Sequence, residues 1–293
     1  MQRHLIELLE AREAVFAPLV LNPLMARFAE AAGFDAGYVG GGAMGFTTCA
    51  TEANLSLTQM LHAGLEIRGH ARMPLILDGT CGWGDPMHVR HTVEQAEAAG
   101  FEAIEIEDQI LPKRAHHHIG IEHVIARELM EAKIREAVAA RRDPRFLVIA
   151  RTNAARVESL DEALVRAEIC RRAGADVLLV MPRSAADLRV IGERLPPPLM
   201  CMVPVQGIAG FGMSQAELAA QGFKLIVDPV TPLLAMTAAL RRCYEALRNG
   251  ESDPTVGADA PAQELAILDV IGLDAMLEIE RRTVESAVPA GAR

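Results

Sequence analysis

Four stretches of the chain run from a short apolar segment into residues able to do chemistry. They close on Gly40-Gly41-Gly42, Asp78-Gly79-Thr80, Glu105-Ile106-Glu107-Asp108 and Arg151-Thr152-Asn153. A glycine turn, separate carboxylates and a guanidinium suit a metal and an anion. Hard divalent ions such as Mg2+ take carboxylate and water oxygens, often with only one or two protein carboxylates. Arg151 offers a planar fork for a substrate carboxylate. A glycine turn brings backbone N–H groups close to an anion because no Cβ intervenes. A metal facing an enolate oxygen would stabilise the charge that develops there.

Each residue also has a plain structural reading. Asp78 could cap a helix, Glu107 and Asp108 could be solvated loop charges, and Arg151 could pair with a barrel carboxylate. The three glycines alone mark only a turn. Their joint placement at four successive segment ends favours a site.

The elements that must position these residues follow a repeating pattern. Apolar runs at 15–20, 37–40, 75–78, 103–107, 146–151, 177–181, 199–204 and 224–227 are rich in Val, Ile or Leu, as in parallel strands buried on both faces. Helical stretches at 24–32, 89–99, 160–173 and 215–221 each stop at a glycine (Gly33, Gly100, Gly174, Gly222) just before the next run. This pattern predicts a (β/α)8 TIM-type barrel over residues 1–248, opened by an amphipathic helix at 1–12, with an open doubly wound sheet as the alternative. In such a barrel the active site lies at the C-terminal ends of the strands, where the four segment ends would meet. Residues 249–261, rich in Gly, Pro, Asp and Ser, read as a linker. A helical tail at 263–284 follows, so that 249–293 form an extra C-terminal segment.

Composition narrows the partners. The 293 residues are 51% hydrophobic and 23% charged, with a formal net charge of −10. An acidic surface argues against nucleic acid and against an anionic membrane, and no apolar run reaches the length of a span. Five scattered cysteines with no CxxC pair read as free thiols in a reducing, cytoplasmic compartment.

At these residues the chain resembles the isocitrate lyase/phosphoenolpyruvate mutase superfamily. "IEIEDQILPKR" (104–114) looks like the strand-four signature, and "LILDGTCGWGD" (75–85) is similar to the Asp-x-Asp-Thr-Gly-Tyr-Gly motif of strand three. "VIARTNA" (148–154), "GYVGGG" (37–42) and "NPLMARFAEAAGF" (22–34) match further family segments. The resemblance covers roughly residues 15 to 245. It implies Mg2+ or Mn2+ and a 2-oxo or 2-hydroxy carboxylate that reacts through a pyruvate-like enolate. It also implies a homotetramer whose C-terminal helices swap between paired subunits. Carried over, Asp78 contacts the metal, and Glu107 and Glu52 hold its water shell. Tyr38, Gly41, Gly42, Arg151 and Asn153 line the substrate side, and Lys113 stands on the catalytic loop.

Departures bear on the reaction. The second Asp of the strand-three motif is Thr80, and Asp85 lies nearby as a possible substitute or as a helix cap. The carbon–carbon lyases carry Lys-Arg-Cys-Gly-His in the loop after strand four, where cysteine is the acid. This chain has Lys113, Arg114, Ala115, His116, His117 and His118. Asn153 replaces an Asp, "MVPVQG" lacks the family's acidic residue, and the asparagine-bearing mutase loop is absent. His116 or His117 is expected to take over proton transfer. Trp83 is expected either to line the pocket or to pack on the barrel rim.

The expected activity is Mg2+-dependent cleavage of a C–C bond in a 2-hydroxy or 2-oxo dicarboxylate, by alkylmalate- or methylisocitrate-type cleavage or by oxaloacetate-type decarboxylation. Phosphonopyruvate-type P–C chemistry and a non-catalytic carboxylate-binding barrel are the alternatives.

Overall fold

In the computed structural model, which describes residues 4–257 and 259–285, eight parallel strands alternate with helices. The strands are β1 (Val15–Pro18), β2 (Gly37–Val39), β3 (Leu75–Asp78), β4 (Ala103–Glu107), β5 (Leu147–Thr152), β6 (Val177–Val180), β7 (Leu199–Met202) and β8 (Phe223–Asp228). The helices of the first part are α1 (Leu5–Ala11), α2 (Pro23–Ala31), α3 (Gly41–Thr47), α4 (Leu57–Arg68), α5 (Pro86–Ala98) and α6 (Arg127–Ala140). They continue with α7 (Ala154–Val157), α8 (Leu160–Arg172), α9 (Ala185–Arg194), α10 (Gln215–Ala220), α11 (Thr231–Arg248), α12 (Ala260–Ile271) and α13 (Leu273–Thr283).

The sheet order is β1-β8-β7-β6-β5-β4-β3-β2. A single bridge between Leu19 and Tyr38 brings its two edges together, with Val20 N–H donating to Tyr38 O at 2.9 Å. The (β/α)8 barrel is therefore nearly closed, and the doubly wound alternative is set aside.

Strand side chains alternate with a period of two, and the burial clusters follow it. Ile76, Ala103, Ile149, Val177, Leu179, Met200 and Leu225 fill the barrel interior, joined at its N-terminal end by Leu5, Leu8 and Leu9 of α1. Leu77, Ile104, Val148, Leu178, Cys201 and Ile226 point the other way, into the layer shared with the helices. The same parity turns Tyr38, Asp78, Glu105, Glu107 and Arg151 inward at the C-terminal end.

The glycine junctions are helix caps: Gly100 and Gly174 have φ of 84° and 106°, a region closed to most side chains. Gly33 and Gly222 do the same. One reading changes: the glycine triplet is not only a turn, because Gly40 precedes α3 and Gly41 begins it. The tail holds two helices, α12 and α13, which meet at Gly272 with φ of 75°.

Two compact units divide at Leu233 and Leu234, within α11. Among the described residues no helix is long and apolar enough to cross a membrane, and all five cysteines are free.

Candidate active site

The C-terminal mouth of the barrel gathers nearly all the residues singled out by type. Asp78, at the end of β3, accepts from Gly41 N–H at 2.8 Å through Oδ2 and from Thr80 N–H at 3.0 Å through Oδ1. Glu105 and Glu107 share the inward face of β4. Arg151 donates to Glu105 through Nη1 at 2.9 Å, and its Nε lies 3.3 Å from Glu107. Arg151 is thus an ion-pair partner of both glutamates, and it also lines a cavity at the mouth. Tyr38 OH donates to Glu105 at 3.1 Å.

Asn153 is fully buried. Its Oδ1 accepts from Arg151, and its Nδ2 donates to Glu107 at 2.9 Å. Those bonds make it a support for its neighbours, and it is not in the cavity wall. Asp108 is no solvated loop charge. It is buried, accepts from Thr152 Oγ1 at 2.6 Å and from Asn153 N–H at 2.9 Å, and pairs with Arg166. These bonds lock β4 to β5.

The loop after β4 enters this mouth. Lys113 is buried, and its ammonium bridges Glu107 and Glu52. The histidine tract forms a 3-10 turn over Ala115–Ile119. Within it, His117 Nε2 lies 3.0 Å from Glu52 Oε1, and its Nδ1 lies 3.2 Å from Gln109 Nε2. His118 packs against Phe46, with ring centroids 5.1 Å apart. His116 is exposed and does not line the cavity. Of the two favoured histidines, the structure brings His117 to the site.

A cavity of about 190 Å³ is lined by Tyr38, Gly42, Asp78, His117 and Arg151 on its polar side. A second cavity of about 570 Å³ lies beside it, and Glu52 borders both. Trp83 lines the second cavity rather than the first, packs on the core and donates Nε1–H to Leu55 O at 2.9 Å. Asp85 is the N-cap residue of α5.

Gly41 sits in a crowded place. A Cβ there would stand 3.1 Å from Thr80 Cγ2, 3.2 Å from Asp78 Oδ2 and 3.3 Å from Glu52 Oε2. Thr80 itself holds φ of 47°, which is costly for a β-branched residue and marks a strained turn at the site.

Electrostatics give the mouth its character. Four buried carboxyl groups (Glu52, Asp78, Glu105 and Glu107) face two cations, Lys113 and Arg151. Burial, then the neighbouring Glu52, raises Asp78 above its ordinary range. Burial pushes Glu105 up to about 7 against the pull of Arg151. Burial also disfavours ionised Glu107, but Arg151 and Lys113 outweigh it and hold that group well below the usual range. Glu52 is lowered likewise, with His117 and Lys113 overcoming burial.

This excess of negative charge fits a divalent cation, and of the four carboxyl groups only Asp78 forms no ion pair within 4 Å among the described residues. As the side chains stand, no three His, Cys, Asp or Glu among the described residues are arranged to hold a metal, because the Lys113 ammonium fills the space between Glu52 and Glu107.

Residue type gave Glu105, Gln109 and His118 no individual role. Alternation along "AIEIE" places Glu105 on the same face as Glu107 and could have found it.

The profile of the family described as phosphoenolpyruvate phosphomutase matches residues 5–248. The chain is 31% identical over 282 residues to 2,3-dimethylmalate lyase of Eubacterium barkeri, covering 94% of this chain and 95% of that one. It is 35% identical over 235 residues to 2-methylisocitrate lyase of Aeropyrum pernix, covering 80% and 75%. The structure of a phosphonopyruvate hydrolase in complex with oxalate and Mg2+ superposes with a TM-score of 0.82 at 28% identity, covering 94% and 96%. Both of these relatives are lyases, and this chain is an enzyme of their group. With a family profile over residues 5–248 and relatives at 31% and 35% identity, the chain belongs to the phosphoenolpyruvate mutase/isocitrate lyase superfamily.

Proposed function

We propose that this protein is a divalent-metal-dependent carbon–carbon lyase acting on a 2-hydroxy or 2-oxo dicarboxylate. The observation that carries this reading is the inward-facing set Asp78, Glu105, Glu107 and Arg151, whose buried carboxylates outnumber their cations. Asp78 would hold Mg2+ or Mn2+, with Glu107 and Glu52 holding its water shell once Lys113 withdraws. When bound, the cation supplies electrostatic stabilisation of charge on the substrate's oxygens.

Arg151 and the N–H of Gly42 orient the substrate carboxylate, and Tyr38 and Asn153 keep Glu105 and Arg151 in position. In retro-aldol cleavage the hydroxyl proton leaves and the C2–C3 bond breaks. The electron pair passes to C3, where the adjacent carboxylate delocalises it. In decarboxylation the pair from the broken bond enters the C2 carbonyl to give a pyruvate enolate. Either carbanion then takes a proton at C3. His117, hydrogen-bonded to Glu52, is suited to deliver it, and the loop carrying Lys113 and His117 excludes water. Decarboxylation demands least of a loop without cysteine, because no hydroxyl need be deprotonated.

We propose a homotetramer with tail helices swapped between subunits, supported by exposed apolar side chains such as Tyr244, Leu247, Leu265, Met276 and Ile279 in the second unit. A cytoplasmic setting agrees with five free cysteines.

The test is release of a 2-oxo acid from malate, its alkyl derivatives and oxaloacetate, with Mg2+ or with chelator. Product that requires Mg2+ supports the reading. No product from any of them contradicts it.

A further inference from the structure

The ring of inward-facing residues at the mouth is divided into two arcs. On β2 to β5 it carries Tyr38, Asp78, Glu105, Glu107 and Arg151. On β6 to β8 the equivalent positions are Leu179 and Met181, then Met202, then Val227. The segments that follow extend this second arc. No charged residue occurs from Leu195 to Ala216 or from Pro229 to Leu233. Met202, Pro229 and Val230 line the 190 Å³ cavity together with Ala43 and Phe46 of α3. The one cation just past β6, Arg183, is held by Asp187 at 3.0 Å.

We infer that the substrate is a short dicarboxylate bearing small alkyl substituents, and that Met202 and Val230 select it against tricarboxylates. This rests on the lyase reading above. Arg151 with the Gly42 N–H can take one carboxylate. His117 and His118, also in the cavity wall, can meet a second. A third carboxylate would fall against methionine and valine with no counter-charge, and burying an unpaired anion is expensive. An alkyl group there is buried favourably instead.

The test compares 2,3-dimethylmalate, a diacid with two methyl groups, with the triacid 2-methylisocitrate. Wild type is expected to favour the diacid by about 100-fold or more in kcat/KM. Met202→Arg adds a cation to the apolar arc and should shrink that ratio by about tenfold. Val230→Lys, at a half-buried rim position, repeats the experiment where the first variant fails to fold. A triacid cleaved as well as the diacid, or a ratio unmoved by a folded variant, overturns the inference. If neither compound is cleaved, the lyase reading is decided separately, by release of a 2-oxo acid from malate and oxaloacetate. The ratio of dissociation constants from calorimetry with Mg2+ then decides the apolar arc: tighter diacid binding supports it, while equal binding, tighter triacid binding or no binding overturns it.

Discussion

Lys113 forms a buried ion pair with Glu107, and the same ammonium also reaches Glu52. The protein's own cation therefore stands between two carboxylates assigned to the metal's water shell. Burial disfavours the charged amine, yet Glu107 and Glu52 more than offset it and raise its pKa. Lys113 thus remains charged at any physiological pH, and under the proposed function it would compete with an incoming cation.

Lys113→Met should leave buried Glu52 and Glu107 without the cation they share, with only His117 and Arg151 beside them, at a cost of about 3 kcal/mol without metal. Mg2+ should recover most of that loss. Thermal unfolding with and without Mg2+ checks this: the variant should gain more in Tm than wild type. An equal gain would mean that the ammonium and the metal do not share a seat.

His117→Ala should lower kcat by about 10²- to 10⁴-fold, as expected for loss of a general acid. His116→Ala should change it by less than about twofold, because that side chain is exposed and outside the cavity wall. Steady-state kinetics on both variants distinguish them. Equal losses would assign the proton transfer elsewhere on the loop.

Gly41→Ala places a methyl group against Thr80, Asp78 and Glu52. Overpacking of this kind costs about 1–3 kcal/mol. Because the crowding falls on Asp78, metal-dependent ligand binding should weaken more than global stability does. Parallel calorimetry and urea unfolding separate the two effects.

Glu105 links pH to stability. Its folded pKa of about 7 lies above the ordinary 4.5. The folded state therefore binds the proton more tightly than the unfolded chain. The resulting contribution, about 3 kcal/mol at most, is fully present below pH 4.5 and is lost as pH rises through 7. Glu105→Gln removes that dependence. Wild-type stability relative to the variant should fall between pH 4.5 and 7, as measured by urea unfolding across that range.

Much of this architecture is legible in the residues themselves. Eight Val-, Ile- and Leu-rich runs become eight strands whose ends differ from the apolar runs by at most two residues, because strands buried on both faces need continuous apolar sequence. Asp78, Glu107 and Arg151 could be found because strand ends in a barrel converge on one mouth. The seat of Lys113 could not, since it depends on how the loop after β4 folds back across the barrel. His117 was separable from His116 only by counting along the family's Lys-Arg-Cys-Gly-His, which puts histidine at 117. Nor did residue type reveal the bond from Gly41 N–H to Asp78, which joins β3 to α3 across 37 residues. Gly272 interrupts a tail whose helical pattern otherwise runs through it.

Calorimetric titration of oxalate, with and without Mg2+, on wild type and Asp78→Ala is the most direct test of the enolate site. Oxalate has the shape and charge of a pyruvate enolate. Binding that requires Mg2+ and disappears in Asp78→Ala is the predicted result. Binding indifferent to Mg2+, or retained in Asp78→Ala, would contradict a metal-dependent site built on that carboxylate.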